Sequence, residues 1–203
     1  MEMRVALAGL VGLLLGSIPF SWIVGRLFGG LDIRSIGSGN VGATNVARSL
    51  GYGAGLVALL LDAAKGAAAV LVARLLAPGP SAGSAALWAG GMAVLGHNFT
   101  PFLRLRGGKG VATGAGVFAV IAPGALLAAV FVFAAALAIG RMVSLGSVLA
   151  AATLPAAAWL LHADRGIVIL ALLTAALVIA RHRANLSRIA RGAERRLGDR
   201  AAG

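Results

Sequence analysis

Residues 111–139, VATGAGVFAVIAPGALLAAVFVFAAALAI, decide how this chain crosses a membrane. The stretch is 29 residues long and carries no Asp, Glu, Lys or Arg. One crossing takes roughly 20 residues. The stretch is therefore one overlong span, or two short ones of about 14 residues meeting at Pro123-Gly124, a pair that interrupts helices. The composition around it leaves no doubt about the solvent. The chain is 60% hydrophobic and 12% charged, with a mean hydropathy of +0.95. A soluble domain is about half apolar and about a quarter charged, so this is an integral membrane protein.

Working outward, apolar runs cover residues 5–28, 55–76, 85–99, 148–161 and 167–180. The first is too long and too interrupted for a signal peptide and lacks a clear small-residue cleavage site. It reads as a retained span kinked near Ser17, Pro19 and Ser21. Polar breaks fall at 29–54, 77–84 (APGPSAGS), 100–110, 140–147 (GRMVSLGS) and 162–166 (HADRG). Counting crossings then settles residues 111–139. With two short spans there, Arg34, Arg48, Arg104, Arg106, Lys109, Arg141 and the seven arginines of 181–203 fall on one side. Arg4, Arg74 and Arg165 fall on the other. With one span the asymmetry collapses. Positive charge marks the cytoplasmic side. The expected fold is thus an all-α compact bundle of seven transmembrane helices, N-terminus outside and C-terminus cytoplasmic, with two short spans meeting near Pro123.

The polar residues concentrate on the cytoplasmic face. Residues 35–48, SIGSGNVGATNVAR, hold Ser38, Asn40, Thr44, Asn45 and Arg48 among Gly37, Gly39 and Gly42. Small residues let backbone N–H groups approach a ligand, and the side chains add donors suited to phosphate. The same composition also describes a solvated loop. Residues 96–110, GHNFTPFLRLRGGKG, form a second cluster just before a helix, where N–H groups bind anions readily. Its GGKG is not a Walker loop: Phe102, Leu103 and Arg104 occupy the place of the first glycine, and Gly110 follows Lys109. Two readings stand for Lys109, a ligand and a membrane-flanking charge. Two stand for His97, a reactive group and a hydrogen-bonded interfacial histidine. Asp62 and Lys65, three apart in a span, read as a structural ion pair. Ser144, Ser147 and Asn185 are weaker signals, and either serine could cap a helix.

Several classes drop out. There is no cysteine, so disulfides and thiolate metal sites are excluded. His97, His162 and His182 lie in separate segments without metal-ligand spacing. The net charge of +12 has too few neighbouring aromatics for a nucleic-acid surface. A transporter would set polar groups at the midplane on broken helices. Polar groups gathered at one interface suit an enzyme that joins a water-soluble substrate to a lipid. A small transporter or scramblase with an anion gate remains the rival reading.

The motifs SGNVGATNVAR (38–48), LDAAKG (61–66), GHNFTPFLRLRGGKGVATGAG (96–116), VSLGS (143–147) and RHRANLSR (181–188) together resemble the bacterial membrane glycerol-3-phosphate acyltransferases of the PlsY type, in order and over nearly the whole chain. The resemblance implies transfer of a fatty acyl group from acyl phosphate to the 1-hydroxyl of glycerol 3-phosphate, giving lysophosphatidic acid and inorganic phosphate, the first step of phospholipid synthesis. It implies no cofactor, no metal, no nucleic acid and no obligatory protein partner beyond the two substrates and membrane lipids. It implies one membrane-embedded acyltransferase domain over 1–203, with 181–203 as a basic cytoplasmic tail. The location implied is the bacterial inner membrane, with the active site facing the cytoplasm. Carried over motif by motif, Ser38, Arg48, His97 and Lys109 would be catalytic. Gly39, Asn40, Thr44, Asn45, Gly107, Gly108, Gly110, Ser144 (or Ser147) and Asn185 would bind substrate and phosphate.

The residues agree with that chemistry. Two phosphorylated reactants need two anion sites, and Arg48 and Lys109 supply one cation each. An acyl phosphate carbonyl is already activated, so positioning and charge stabilisation are the main needs. The hydroxyl proton goes to His97 or to the departing phosphate. The acyltransferase class with an acid five residues after its histidine is disfavoured, because Phe102 stands five after His97.

Overall fold

The computed structural model describes residues 1–199. Arg200 and the last three positions of the expected tail lie outside the described residues. Among the described residues every regular element is helical, and the chain divides into two compact units, residues 1–120 and 121–199.

In the first unit α1 (Glu2–Ser17) stops where Pro19 brings no N–H to continue the ladder. The chain turns and resumes as α2 (Phe20–Gly29), which ends on Gly30 in the left-handed conformation, φ 64°. A loop leads to α3 (Ala43–Leu50), then α4 (Tyr52–Leu76) and α5 (Ala82–Asn98). α6 (Val111–Ile121) begins after the GGKG loop. The close packing uses small residues, as helices in a bilayer do. A Cβ on Gly12 or Gly16 of α1 would overlap the backbone of Ala89 or Ala93 of α5. Gly116 of α6 packs in the same way on Ala63 of α4.

The second unit holds α7 (Pro123–Gly140), α8 (Val143–Leu160), α9 (Arg165–Arg181) and α10 (Arg183–Ala190). Pro123 opens α7, where its missing N–H costs nothing. At His182 the axis bends by 57° between α9 and α10.

Three sequence expectations change. Residues 111–139 do split at Pro123, but unequally, into an 11-residue α6 and an 18-residue α7. At 1.5 Å per residue α6 is about 16 Å long, half a hydrocarbon core. The polar break expected at 140–147 is mostly helix: VSLGS forms the first turns of α8. Its serines are polar because they face protein, not because the chain loops. The second half of 35–48 is also helical, so Thr44, Asn45 and Arg48 ride on α3.

Four stretches are long and apolar enough to cross a bilayer: Glu2–Gly29, Tyr52–Leu76, Pro123–Gly140 and Val143–Leu160. The bent pair α9–α10 makes a fifth if counted as one span. Leucines such as Leu10, Leu14, Leu59 and Leu60 point outward, as expected where lipid replaces water.

Candidate functional site

The loop before α3 is held from below and from behind. Ile33 and Val41 are buried with Val24, Val46, Ala58 and Leu103 in an apolar cluster, which anchors both ends of the polar segment. Asn45 does the rest. Its Nδ2 donates to the Ile33 carbonyl (2.7 Å) and the Ile36 carbonyl (3.1 Å), and its Oδ1 accepts from the Ser38 N–H (3.1 Å). All its side-chain capacity toward this loop goes into shaping it. Ser38 and Gly39 are exposed at the tip, with Gly39 at φ 66°. Thr44 and Arg48 are half-buried on α3, and Asn40 is half-buried in the loop.

Asp32, missed from the sequence, fixes the loop entrance. It accepts from Arg34 Nε at 2.9 Å and from the Arg34 N–H at 3.0 Å, with Arg26 at 3.3 Å. The Arg34 hydrogen bond holds its carboxyl well below the usual carboxylate range, against a smaller desolvation effect.

Under this loop lies a narrow crevice lined by Ser21, Val41, Asp62, Lys65, His97 and Gly108, among others. Asp62 is its hub. Oδ2 accepts from Ser21 Oγ (2.7 Å), and Oδ1 pairs with Lys65 Nζ (2.7 Å) and stands 3.5 Å from His97 Nδ1. Side chains of Asp62 and Lys65 are each 2% exposed. Lys65 also donates to the Ile18 carbonyl (2.6 Å), and Thr100 Oγ1 donates to the Ser17 carbonyl (2.6 Å). These two carbonyls sit at the α1–α2 break. The expected Asp62–Lys65 pair is present, with two additions the sequence did not give: it joins His97, and it stitches the break.

The GGKG loop folds back on the end of α5. The Gly107 and Gly108 N–H groups donate to the carbonyls of Asn98 and His97, both at 3.1 Å. These two bonds close the end of α5. The glycines matter sterically. A Cβ on Gly108 would collide with His97 Nε2 and the Val41 carbonyl, and one on Gly107 with the His97 carbonyl. Gly110 turns at φ 83° into α6, and Lys109 is half-buried between two buried glycines.

The second unit carries its own polar cluster. Ser144 Oγ (2.7 Å) and Asn185 Nδ2 (2.6 Å) both donate to Glu194 Oε1, and Arg188 Nε donates to Oε2 (2.7 Å). Burial would raise the Glu194 carboxyl, but the bonds from Asn185, Ser144 and Arg188 outweigh it and hold the group below its ordinary value. Ser147 takes no part; its Oγ donates to the Val143 carbonyl of its own helix. Of the two serines left open above, Ser144 is the one brought together with Asn185. Glu194 was also missed, although it is the only acid between Arg181 and Arg196.

Of the expected residues, the structure gathers Ser38 with Asn45, and His97 with Gly107 and Gly108, beside the Val41 carbonyl. It gathers Ser144 with Asn185 separately, in the second unit.

Comparison with known proteins gives one answer. The family model described as glycerol-3-phosphate acyltransferase matches residues 6–192. Glycerol-3-phosphate acyltransferases of Anaeromyxobacter dehalogenans (strain 2CP-1) and Jannaschia sp. (strain CCS1) are 44% and 47% identical. The matches cover 95% of this chain in both cases, and 96% and 92% of those proteins. A crystal structure of PlsY, an integral membrane glycerol 3-phosphate acyltransferase, in its glycerol 3-phosphate form superposes with a TM-score of 0.88 at 35% identity, covering 96% of both chains. Its lysophosphatidic acid form gives 0.85 at 34% identity. On this evidence the chain belongs to the PlsY-type glycerol-3-phosphate acyltransferase family.

Proposed function

We propose that this chain transfers a fatty acyl group from an acyl phosphate to the 1-hydroxyl of glycerol 3-phosphate, releasing lysophosphatidic acid and inorganic phosphate. The observation that carries the reading is the junction at Gly108, where the Val41 carbonyl of the first motif meets His97 and the GGKG loop of the second. Two loops that each bear a cation, Arg48 after the first and Lys109 in the second, are thereby held side by side in one unit. The names of the relatives supply the acceptor, and the lysophosphatidic acid form of PlsY fits the product.

The 1-hydroxyl oxygen attacks the acyl carbonyl carbon. The new ester bond forms as the bond from that carbon to the phosphate oxygen breaks. The hydroxyl proton passes to His97 Nε2 or to the departing phosphate, and phosphate leaves with the electron pair. Arg48 and Lys109 neutralise the two phosphates, Arg48 by its two-pronged guanidinium. Ser38, Asn40 and Thr44 offer hydroxyl and amide donors at the loop. Ser144, Asn185 and Arg188 form a donor set that suits phosphate oxygens as it suits the Glu194 carboxylate.

The same reading gives seven crossings with the N-terminus outside, counting α1–α2, α4, α5, α6, α7, α8 and α9. Its support is the charge asymmetry of the loops. The reactive face is then cytoplasmic, in a bacterial inner membrane. A reporter fused after Gly203 should be active in the cytoplasm; activity only outside it overturns the topology.

The decisive assay uses purified protein in proteoliposomes. Phosphate release from acyl phosphate should require glycerol 3-phosphate and match lysophosphatidic acid formed. Glycerol 3-phosphate flux without acylated product would replace the enzyme with a transporter.

A further inference from the structure

We propose that Asp62 is the positioning residue for His97, fixing it as the tautomer with hydrogen on Nδ1 and turning the Nε2 lone pair to the GGKG loop. The inference rests on the reading above, in which His97 is a candidate proton acceptor.

Asp62 sits in the middle of α4 and could be explained as half of an ion pair. The geometry goes further. An ion pair needs one partner, yet this carboxylate meets Lys65 from its own helix, Ser21 from α2 and His97 from α5. Its backbone carbonyl accepts from Thr113 Oγ1 of α6 at 3.0 Å, which ties a fourth helix to the same residue. The position of the carboxylate is therefore over-determined. The imidazole, 7% exposed, lies between this anion and the GGKG loop. Nδ1 stands 3.5 Å from Asp62 Oδ1, an ion-pair approach rather than a closed hydrogen bond, while Nε2 lies where a side chain on Gly108 would have to be.

The electrostatics then select one neutral form. A carboxylate opposite Nδ1 favours hydrogen on that nitrogen, and the other nitrogen keeps its lone pair. Lys65 has a separate task. Its ammonium offsets the Asp62 charge at 2.7 Å. Carboxylate–histidine pairs in other sites work in this way, with the acid setting tautomer and angle and the imidazole doing the chemistry.

The test is 15N spectroscopy of histidine-labelled full-length protein in nanodiscs at alkaline pH. The His97 signals are identified by their loss in His97→Gln. Wild type should show hydrogen on Nδ1. Asp62→Asn should disturb that preference but strands the Lys65 ammonium. The double variant Asp62→Leu/Lys65→Met removes both charges and keeps the helix apolar, so it serves if the single variant does not fold. In it His97 should revert to the free-imidazole mixture dominated by hydrogen on Nε2. A wild-type His97 carrying hydrogen on Nε2, or an unchanged tautomer in the double variant, overturns the proposal. Turnover in the same samples addresses the reading beneath it. A fall in kcat of about tenfold with the KM for glycerol 3-phosphate unchanged supports both. A shifted tautomer with undiminished kcat bears out the positioning and sinks His97 as proton acceptor.

Discussion

Each unit buries one carboxylate among side-chain donors, and the two arrangements solve different problems. Asp62 lies within a span, where its counter-charge, Lys65, is three residues away on the same helix. Glu194 lies in the tail beyond α10, 4% exposed, and its cation, Arg188, remains 38% exposed. In the span the charge must be cancelled locally, because neither water nor distance can help. At the membrane edge the guanidinium stays wet, and the carboxylate is free to gather Ser144 and Asn185. Burial depth, more than residue type, sets which carboxylate is scaffold within a helix bundle and which is organiser of a surface cluster.

The contrast is most directly broken at Lys65. Lys65→Met should leave Asp62 uncompensated and strip the Ile18 carbonyl of a donor, a loss of about 3–5 kcal/mol. Thermal unfolding in detergent reads it, and near-wild-type stability would mean Asp62 is not held as an anion. Lys109→Ala tests the loop above the hub. It should lower kcat/KM by about 10²–10³-fold at unchanged melting temperature. Equal activity would reduce Lys109 to a membrane-flanking charge.

Smaller effects belong to the second unit. Glu194→Gln should cost about 1–3 kcal/mol by weakening the Arg188 bond and adding a donor among donors. Its pH signature has a definite sign. The folded-state carboxyls of Glu194 and Asp32 are both lowered, so their stabilisation is fully present above the ordinary carboxylate range. It is lost as pH falls below that range toward their folded values. Acid unfolding scans should therefore show less loss at low pH for Glu194→Gln than for wild type; parallel curves would exclude Glu194 from the linkage. Smallest is Ser147→Ala, expected within about 0.5 kcal/mol in stability and about twofold in kcat, against a clear KM increase for Ser144→Ala. The reverse ranking would move the substrate donor to Ser147.

The sequence carried the backbone punctuation well. Pro19 and Pro123 lack an N–H, and both mark helix breaks in the structure. The two glycine-rich polar segments also stood out, because glycines crowded by polar residues are rare in an apolar chain. Roles inside the motifs were not. Asn45 looks like a ligand by composition, yet its amide is spent on Ile33, Ile36 and Ser38. Such bonds depend on a turn whose path no local pattern encodes. VSLGS looks like a loop because polarity alone cannot separate a serine facing water from one facing Glu194. The Asp62–His97 approach spans 35 positions of chain and exists only once α4 and α5 pack. Glu194 was hidden by the arginines around it, whose number suggested a topology signal and masked the acid among them.

The turn at Pro19 also ties the first crossing to parts of the chain made much later. The carbonyl of Ile18 accepts from the nearby Phe20 N–H and from a residue 47 positions on, and that of Ser17 from one 83 positions on. In hydrocarbon a bare carbonyl is expensive. A nascent chain stalled before Thr100 would thus leave the Ser17 carbonyl open, and insertion becomes complete only when the segment that follows α5 arrives to close it.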